Sequence, residues 1–315
     1  MDLSKLIGRK QEQPGQETPQ LSKEEYAARK KSERENVWAR VDAQAEAVFG
    51  DGGAMKGFLD FMAQCTPQST RNLLILYEQN PEITHPRTFE KWKEAGRSIH
   101  SGETGYLFFA DQEYTREDGT AAQGYVLTRA FDISQTRGPQ PVPPRRYEPE
   151  ELLAAMIEQS PVFLELSDQL PLGVQAQYIP KQKAVYVRSD MDAAEAFCAI
   201  AREQAHAGFD TVGRGYYRQA FAAQAYCAAY VAARKFSVDT SVFQFDRVCE
   251  VCRELGPQEK RKFISDVKSA AYSINRDIRR GFQDLEQAAA VEDFPIQAAE
   301  SPKAAKKKAE PESER

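Results

Sequence analysis

Histidine is scarce in this chain of 315 residues, with three in total, and tryptophan occurs twice. So few imidazoles leave little room for a metal centre built on His alone. Cysteine is also sparse: the five thiols, at positions 65, 198, 227, 249 and 252, form no disulfide framework. Several sit among apolar residues, as small hydrophobes do, and the thiols are expected to be reduced. Cys249-x-x-Cys252 has no second pair to complete a zinc ribbon, and its helical surroundings give it a structural part. No apolar run approaches the roughly 20 residues of a membrane span. The opening Met1-Asp2-Leu3-Ser4-Lys5 lacks the apolar segment of a signal peptide. A cytoplasmic protein without a membrane partner is therefore expected. Positive charge does not dominate either. With 42 Lys and Arg against 47 Asp and Glu, the net charge of −5 argues against a globally basic nucleic-acid binder and leaves room for a local basic face.

What is present is a hydrophobic fraction of 41%, enough for real cores, in a chain long enough for two compact domains. Residues 1–20 and 291–315 are polar and rich in Gln, Pro, Lys or Glu, as disordered arms are. The Lys306-Lys307-Lys308 run is flanked by Glu and reads as a solvated tail. A Pro-rich linker, 139–147, separates a first domain, 21–138, from a second, 148–290. The fold class expected is α+β. In the first domain helices at about 22–48, 55–65, 69–79 and 88–94 lead into strands near 97–100, 105–110 and 125–131, with a turn at Asp118-Gly119. The second has a helix at 149–159, short strands near 162–166, 174–179 and 184–188, and then helices at about 191–209, 216–235, 243–255 and 257–289. The strands at 174–179 and 184–188 form a hairpin, and Asp190 is the expected N-cap of the next helix.

That helix carries Arg202-Glu203-Gln204-Ala205-His206. An intact H-E-x-x-H places two His one turn apart, so that both imidazoles reach one zinc while the Glu activates its water. Here the first His is Arg, and a Glu with a His three residues on is in itself an ordinary helical polar pair. The preceding hairpin and the following Ala-rich helix match the layout in which zinc peptidases bring a third ligand across. The segment Ala220 to Tyr226 offers only Gln224, whose neutral amide is a poor zinc ligand. Two of three ligands are lost. No bound cofactor is expected, with Glu203 a catalytic base and His206 a zinc ligand only if an altered site persists. Arg202 is expected to pair with Glu203 or a nearby acid. His85 and His100 lie in the other domain and are read as solvated or capping.

In the first domain Arg71, Asn72, Trp92, Lys93, Arg97 and Tyr106 combine cationic, amide and aromatic groups. A single-strand platform needs this mixture, because bases stack on rings while phosphates meet charges. Phe89 and Trp92, three apart on a helix, read equally well as a core pair.

Four stretches taken in order resemble the N-terminal single-stranded-DNA-binding domain of ArdC-type antirestriction proteins. They are Arg71-Asn72-x-Leu74-x-x-Tyr77-x-Gln79-x-Pro81, Phe89-x-x-Trp92-x-x-x-Gly96-Arg97, Gly102-Glu103-x-Gly105 and Phe131-Asp132-Ile133-Ser134-Gln135-Thr136. The match covers about 58–138, and the last stretch is the most specific. Such proteins are carried by conjugative plasmids and integrative elements and commonly continue into a zincin-like metallopeptidase domain. The resemblance implies that the six residues above contact single-stranded DNA, and that 148–290 is a degenerate peptidase with Gln224 roughly where the family has Glu. Members often read Lys-Gly-Glu-Lys-Gly where this chain has Ser101-Gly102-Glu103-Thr104-Gly105. Two cations fewer lower phosphate affinity by about one to two orders of magnitude at moderate salt.

Three functions follow as expectations. The first is a non-enzymatic single-stranded-DNA-binding protein of a bacterial mobile element, with a pseudo-peptidase half. The second is a metallopeptidase with an atypical site, and the third a protein-interaction module whose old groove takes a partner peptide.

Overall fold

The computed structural model describes residues 22–116, 118–139, 145–210 and 215–292. The expected arm 1–20, the tail beyond 292 with its lysine run, and 140–144 of the Pro-rich segment lie outside them. The expected α+β class is what the chain adopts.

Helix α1, Lys23–Val48, opens on the capping box that the sequence predicts: Glu25 N donates to Ser22 Oγ at 3.2 Å and Ser22 N to the Glu25 carboxylate at 2.8 Å. Asp51 caps α2, Gly52–Gln64, and Ser69 caps α3, Thr70–Gln79, which stops short of Pro81. Strand β1, Arg87–Thr88, helix α4, Phe89–Glu94, and strand β2, Ser98–Ile99, follow. Strands β3, Tyr106–Thr115, and β4, Ala121–Phe131, form a long antiparallel hairpin. Its turn carries Gly119 at φ +81°, a conformation that the missing Cβ allows. β1 pairs with the other edge of β4, giving the order β1-β4-β3, and β2 pairs with β5, Thr136–Arg137.

The open edge of β3 is covered by α3 rather than by another strand. Asn72 donates to the Phe109 carbonyl at 3.0 Å and accepts from its N–H at 2.9 Å, while Gln79 does the same for Leu107 at 3.1 and 2.7 Å. Two side-chain amides thus replace two rungs of a ladder and blunt an edge that would otherwise template pairing.

Past the Pro-rich segment, α5, Pro149–Glu158, starts with Pro at a first-turn position. Strands β6, Phe163–Leu166, β7, Ala176–Ile179, and β8, Ala184–Val187, form a sheet of order β6-β8-β7. The β7–β8 hairpin is as expected; β6 joins it in parallel along β8. Helices α6, Ala193–Asp210, α7, Arg218–Lys235, α8, Asp246–Val251, and α9, Pro257–Glu292, complete the chain. The cap of α6 is Asp192, not Asp190: Glu195 N donates to Asp192 Oδ1 at 2.9 Å. Asp190 instead takes both arms of Arg188 at 2.8 Å, because the helix begins two residues later than the sequence implied.

One hydrophobic core runs through residues on both sides of the Pro-rich segment, from Val37 and Phe58 to Phe197, Tyr230 and Ile278. Helix α9 packs against α1, α3, α5, α6 and α7, and α2 packs against α7. Polar contacts follow the same path: Arg234 reaches Asp60 at 2.6 Å, Arg261 reaches Asp42 at 2.9 Å, and Lys260 pairs with Glu46. Where α9 crosses α5, a Cβ on Gly281 would lie 2.1 Å from the Ala155 carbonyl oxygen.

Gly281→Ala is therefore expected to destabilise the protein by about 2 kcal/mol, the overpacking against backbone exceeding the helix-propensity gain of about 1 kcal/mol. A lower urea midpoint with unchanged slope is the expected reading; a raised midpoint would show that the crossing is loose.

Candidate functional site

Helix α6 lays Glu203 and His206 against the β7 strand and the start of α7. Glu203 is 0% exposed, and each of its carboxylate oxygens is taken. Tyr178 N on β7 donates to Oε2 at 2.8 Å, Arg218 donates to both oxygens at 2.6 Å, and Arg202 Nε reaches Oε1 at 3.2 Å. Burial pushes the carboxyl towards protonation, but the Arg218 hydrogen bonds and charge outweigh it and hold Glu203 below the usual carboxylate range. The expected Arg202–Glu203 pair is present, yet Arg218 is the principal partner. It was not singled out in the sequence, although one signal was there. A cation in the first turn of a helix opposes the macrodipole, so Arg218 at the start of α7 needs a compensating anion.

His206 is buried and shares its Nδ1 with the Tyr216 hydroxyl at 3.0 Å. Burial, with Arg218 and Arg202 adding to it against the pull of Glu203, lowers its pKa to about 4. Burial raises Tyr216 to about 12, so its hydroxyl keeps its proton. The hydroxyl and Nδ1 thus share one proton between them, the ring staying neutral. Among the described residues no group of three or more His, Cys, Asp or Glu is arranged to hold an ion. The donors do not fit a catalytic zinc: the groups beside Glu203 are the cations Arg202 and Arg218, and its oxygens face their guanidinium groups. A carboxylate so committed has no lone pair free to take a proton from water.

The six residues expected at a strand-binding surface separate by burial. Asn72 is engaged with β3 as above. Trp92 is buried and donates from Nε1 to the Phe131 carbonyl at 2.7 Å. Arg97 is buried too, bonded from Nε to Thr136 Oγ1 at 2.8 Å and from a guanidinium nitrogen to the Thr136 carbonyl at 3.0 Å, and reaching the Pro139 carbonyl. These three hold the scaffold together, and their burial leaves them no face for a base or phosphate. Phe89 is 55% exposed, so it forms no core pair with Trp92. Lys93 is exposed, and half-buried Tyr106 accepts from Asn80 at 3.0 Å. Arg71 lies over the Tyr125 ring at 4.4 Å and pairs with Asp111 at 3.3 Å, while its Nε finds no partner among the described residues. Tyr125 and its neighbour Trp38, which donates to the Tyr125 hydroxyl at 3.0 Å, were not foreseen at this surface.

The Phe131-to-Thr136 stretch is a clasp. Asp132 accepts from Thr84 N at 2.9 Å, His85 N at 2.7 Å and both Ser134 N and Oγ, and Gln135 ties Asp132 N to Glu103 and the Thr104 carbonyl. Burial would raise the Asp132 pKa, but these donors outweigh it and hold it low.

A helix-and-sheet half with an amide-clamped hairpin, joined to a half whose paired helices carry a guanidinium-neutralised Glu-x-x-His, defines a two-part α+β protein. Residues 31–163 match the family described as the N-terminal domain of anti-restriction factor ArdC. Over these residues the chain is similar to the N-terminal domain of ArdC-like antirestriction proteins. No curated protein matches it. Among solved structures, the metal-free crystal structure of antirestriction ArdC from the R388 plasmid is similar at 17% identity and TM-score 0.45, over 68% of this chain and 86% of that one. The Mn(II)-bound structure of the same protein stands at 16% identity and TM-score 0.46, over 68% and 84%.

Two outcomes are expected. Arg218→Met leaves a buried carboxylate without its main partner and should destabilise by about 3 kcal/mol, with Glu203→Leu in the same chain recovering most of that; chemical unfolding of the single and double variants reads both. Because the folded pKa of His206 is depressed, the neutral form contributes stability that is complete above about 6.5 and is lost as pH falls towards about 4. The loss amounts to up to about 3 kcal/mol at 1.36 kcal/mol per pH unit. His206→Gln should flatten that part of the stability–pH curve, and an unchanged curve would show that other groups set it.

Proposed function

We propose that this ArdC-like protein of a bacterial mobile element binds single-stranded DNA through its first domain, 21–138, and that its second, 148–290, is a pseudo-peptidase. The observation that supports the first part is Arg71, whose guanidinium sits on the Tyr125 ring with one nitrogen unpaired. A planar cation on an aromatic face gives phosphate and base a joint foothold. Lys93 and Tyr106 add an exposed charge and a half-buried ring. Asn72, Trp92 and Arg97 hold the scaffold that carries these groups. The second part is supported by the chemistry of the donor set: the positive charge that a metal would supply beside Glu203 comes instead from Arg218. Helix α6 then retains the shape of a peptidase helix without its reactive water.

Fluorescence anisotropy with labelled oligo-dT tests the binding. Association at low salt that weakens steeply as salt rises is expected, with Arg71→Gln reducing affinity several-fold and making the salt slope shallower by about 0.7, the single-strand value per phosphate. Absence of binding at low salt refutes it. Stoichiometric zinc or manganese in the purified protein, lost in His206→Gln, would overturn the pseudo-peptidase reading.

A further inference from the structure

A pocket of about 300 Å³ lies between α2, α7 and α9. Its wall on α9 presents Tyr272, Asn275, Arg279 and Arg280, and α7 adds Lys235. Arg276 also borders it but is already bonded to Asp277 and Ser273. No carboxylate lines the pocket, and among the described residues none is paired with Lys235, Arg279 or Arg280. Met62 and Cys65 form its floor, and burial raises the Cys65 thiol to about 12, so the floor is uncharged.

Two buried polar atoms there are unsatisfied: the Tyr272 hydroxyl, approached by the Gln68 backbone N–H but with no acceptor for its own proton among the described residues, and Asn275 Oδ1, on a residue only 7% exposed. A buried hydroxyl without an acceptor is costly, and so is an amide group facing no counterpart. Cations gathered without counter-charge repel one another; Lys235 is lowered by its burial and by Arg279. An anion that takes a hydrogen bond from Tyr272 relieves both conditions at once. Turning the Asn275 amide about its axis presents Nδ2 as a further donor.

Tyr272 and Pro67 also border a neighbouring cleft that runs past Ser69 and Asn72 to Phe108 and Asp111, beside Arg71. Asp111 is exposed at that cleft and opposes a phosphate there, whereas the α9 pocket has no such group.

We infer that the pocket between α2, α7 and α9 binds a phosphate group of a single-stranded nucleic acid, with Lys235, Arg279 and Arg280 meeting its charge and Tyr272 and Asn275 its oxygens. The strand then passes from Arg71 over Tyr272 into the second half of the chain. The identity of the ligand as a strand rests on the DNA-binding reading above; the phosphate chemistry of the pocket stands apart from it.

The full chain, the triple variant Lys235→Gln/Arg279→Gln/Arg280→Gln and Tyr272→Phe are compared by oligo-dT anisotropy across a salt series and by thermal shift with inorganic pyrophosphate. The triple variant is expected to bind oligo-dT about 10- to 100-fold more weakly, with a salt slope shallower by about 2 for three lost contacts. Pyrophosphate should raise the melting temperature of the unmodified protein and leave the triple variant unmoved. Tyr272→Phe loses a hydroxyl whose proton has no acceptor and whose oxygen meets only the Gln68 N–H, so it should still fold and bind more weakly. If the parent binds oligo-dT and the triple variant binds equally with the same slope, the pocket is not on the strand path and the inference falls while DNA binding stands. If the parent binds no oligo-dT, the DNA reading falls. A pyrophosphate shift lost in the triple variant then keeps the phosphate pocket, and no shift sinks it as well.

Discussion

Helix α9 can lie against α5 only because residue 281 has no side chain: the Ala155 carbonyl occupies the space that a Cβ would take. Much of the molecule hangs on that approach. The same helix touches α1, α3, α5, α6 and α7, so its position sets where the hairpin-bearing half and the α6–α7 pair stand relative to one another. Tyr147 stacked on Phe282 at 3.8 Å, beside the crossing, completes the contact. Close-packed interiors transmit such constraints because they have no free volume to absorb a shift. The core is accordingly continuous across the Pro-rich segment, although the composition changes sharply there.

Within that frame, buried charge obeys one rule throughout. Glu203 is tolerated at full burial because two guanidinium groups and a strand N–H meet it from three sides. Asp132 is tolerated because four backbone or hydroxyl donors converge on it. Both carboxylates are held ionised by their partners against the pull of burial. In the first case guanidinium groups supply the compensating charge; in the second a sequence signature becomes a structural clasp. Signature residues in this fold are therefore largely architecture.

Much of the fold was legible in the sequence where local physics decides. The Ser22 box, Pro81, the Asp118-Gly119 turn and the apolar spacing of α3 act over a few residues, and the elements they bound lie within a few residues of expectation. Asp190 misled because two acids stand two residues apart and only the helix start distinguishes them. Phe89 misled because its spacing from Trp92 is right for a pair while its side chain points to solvent. Asn72, Trp92 and Arg97 have the composition of a binding surface, and nothing in their spacing reveals that β3, Phe131 and Thr136 have already claimed their polar groups.

The sequence alone determined the order of elements, the family resemblance and the Arg202-to-His206 pattern, since each is a property of residue type and spacing. Only the tertiary structure decided that Arg218, fifteen residues beyond Glu203, is the carboxylate's main partner, and that α9 turns unpaired cations and a half-buried tyrosine towards one pocket. Those outcomes depend on which groups are brought within hydrogen-bonding distance after the water between them is removed. Burial magnifies the interaction of whatever charges meet, and the chain order does not say which ones will.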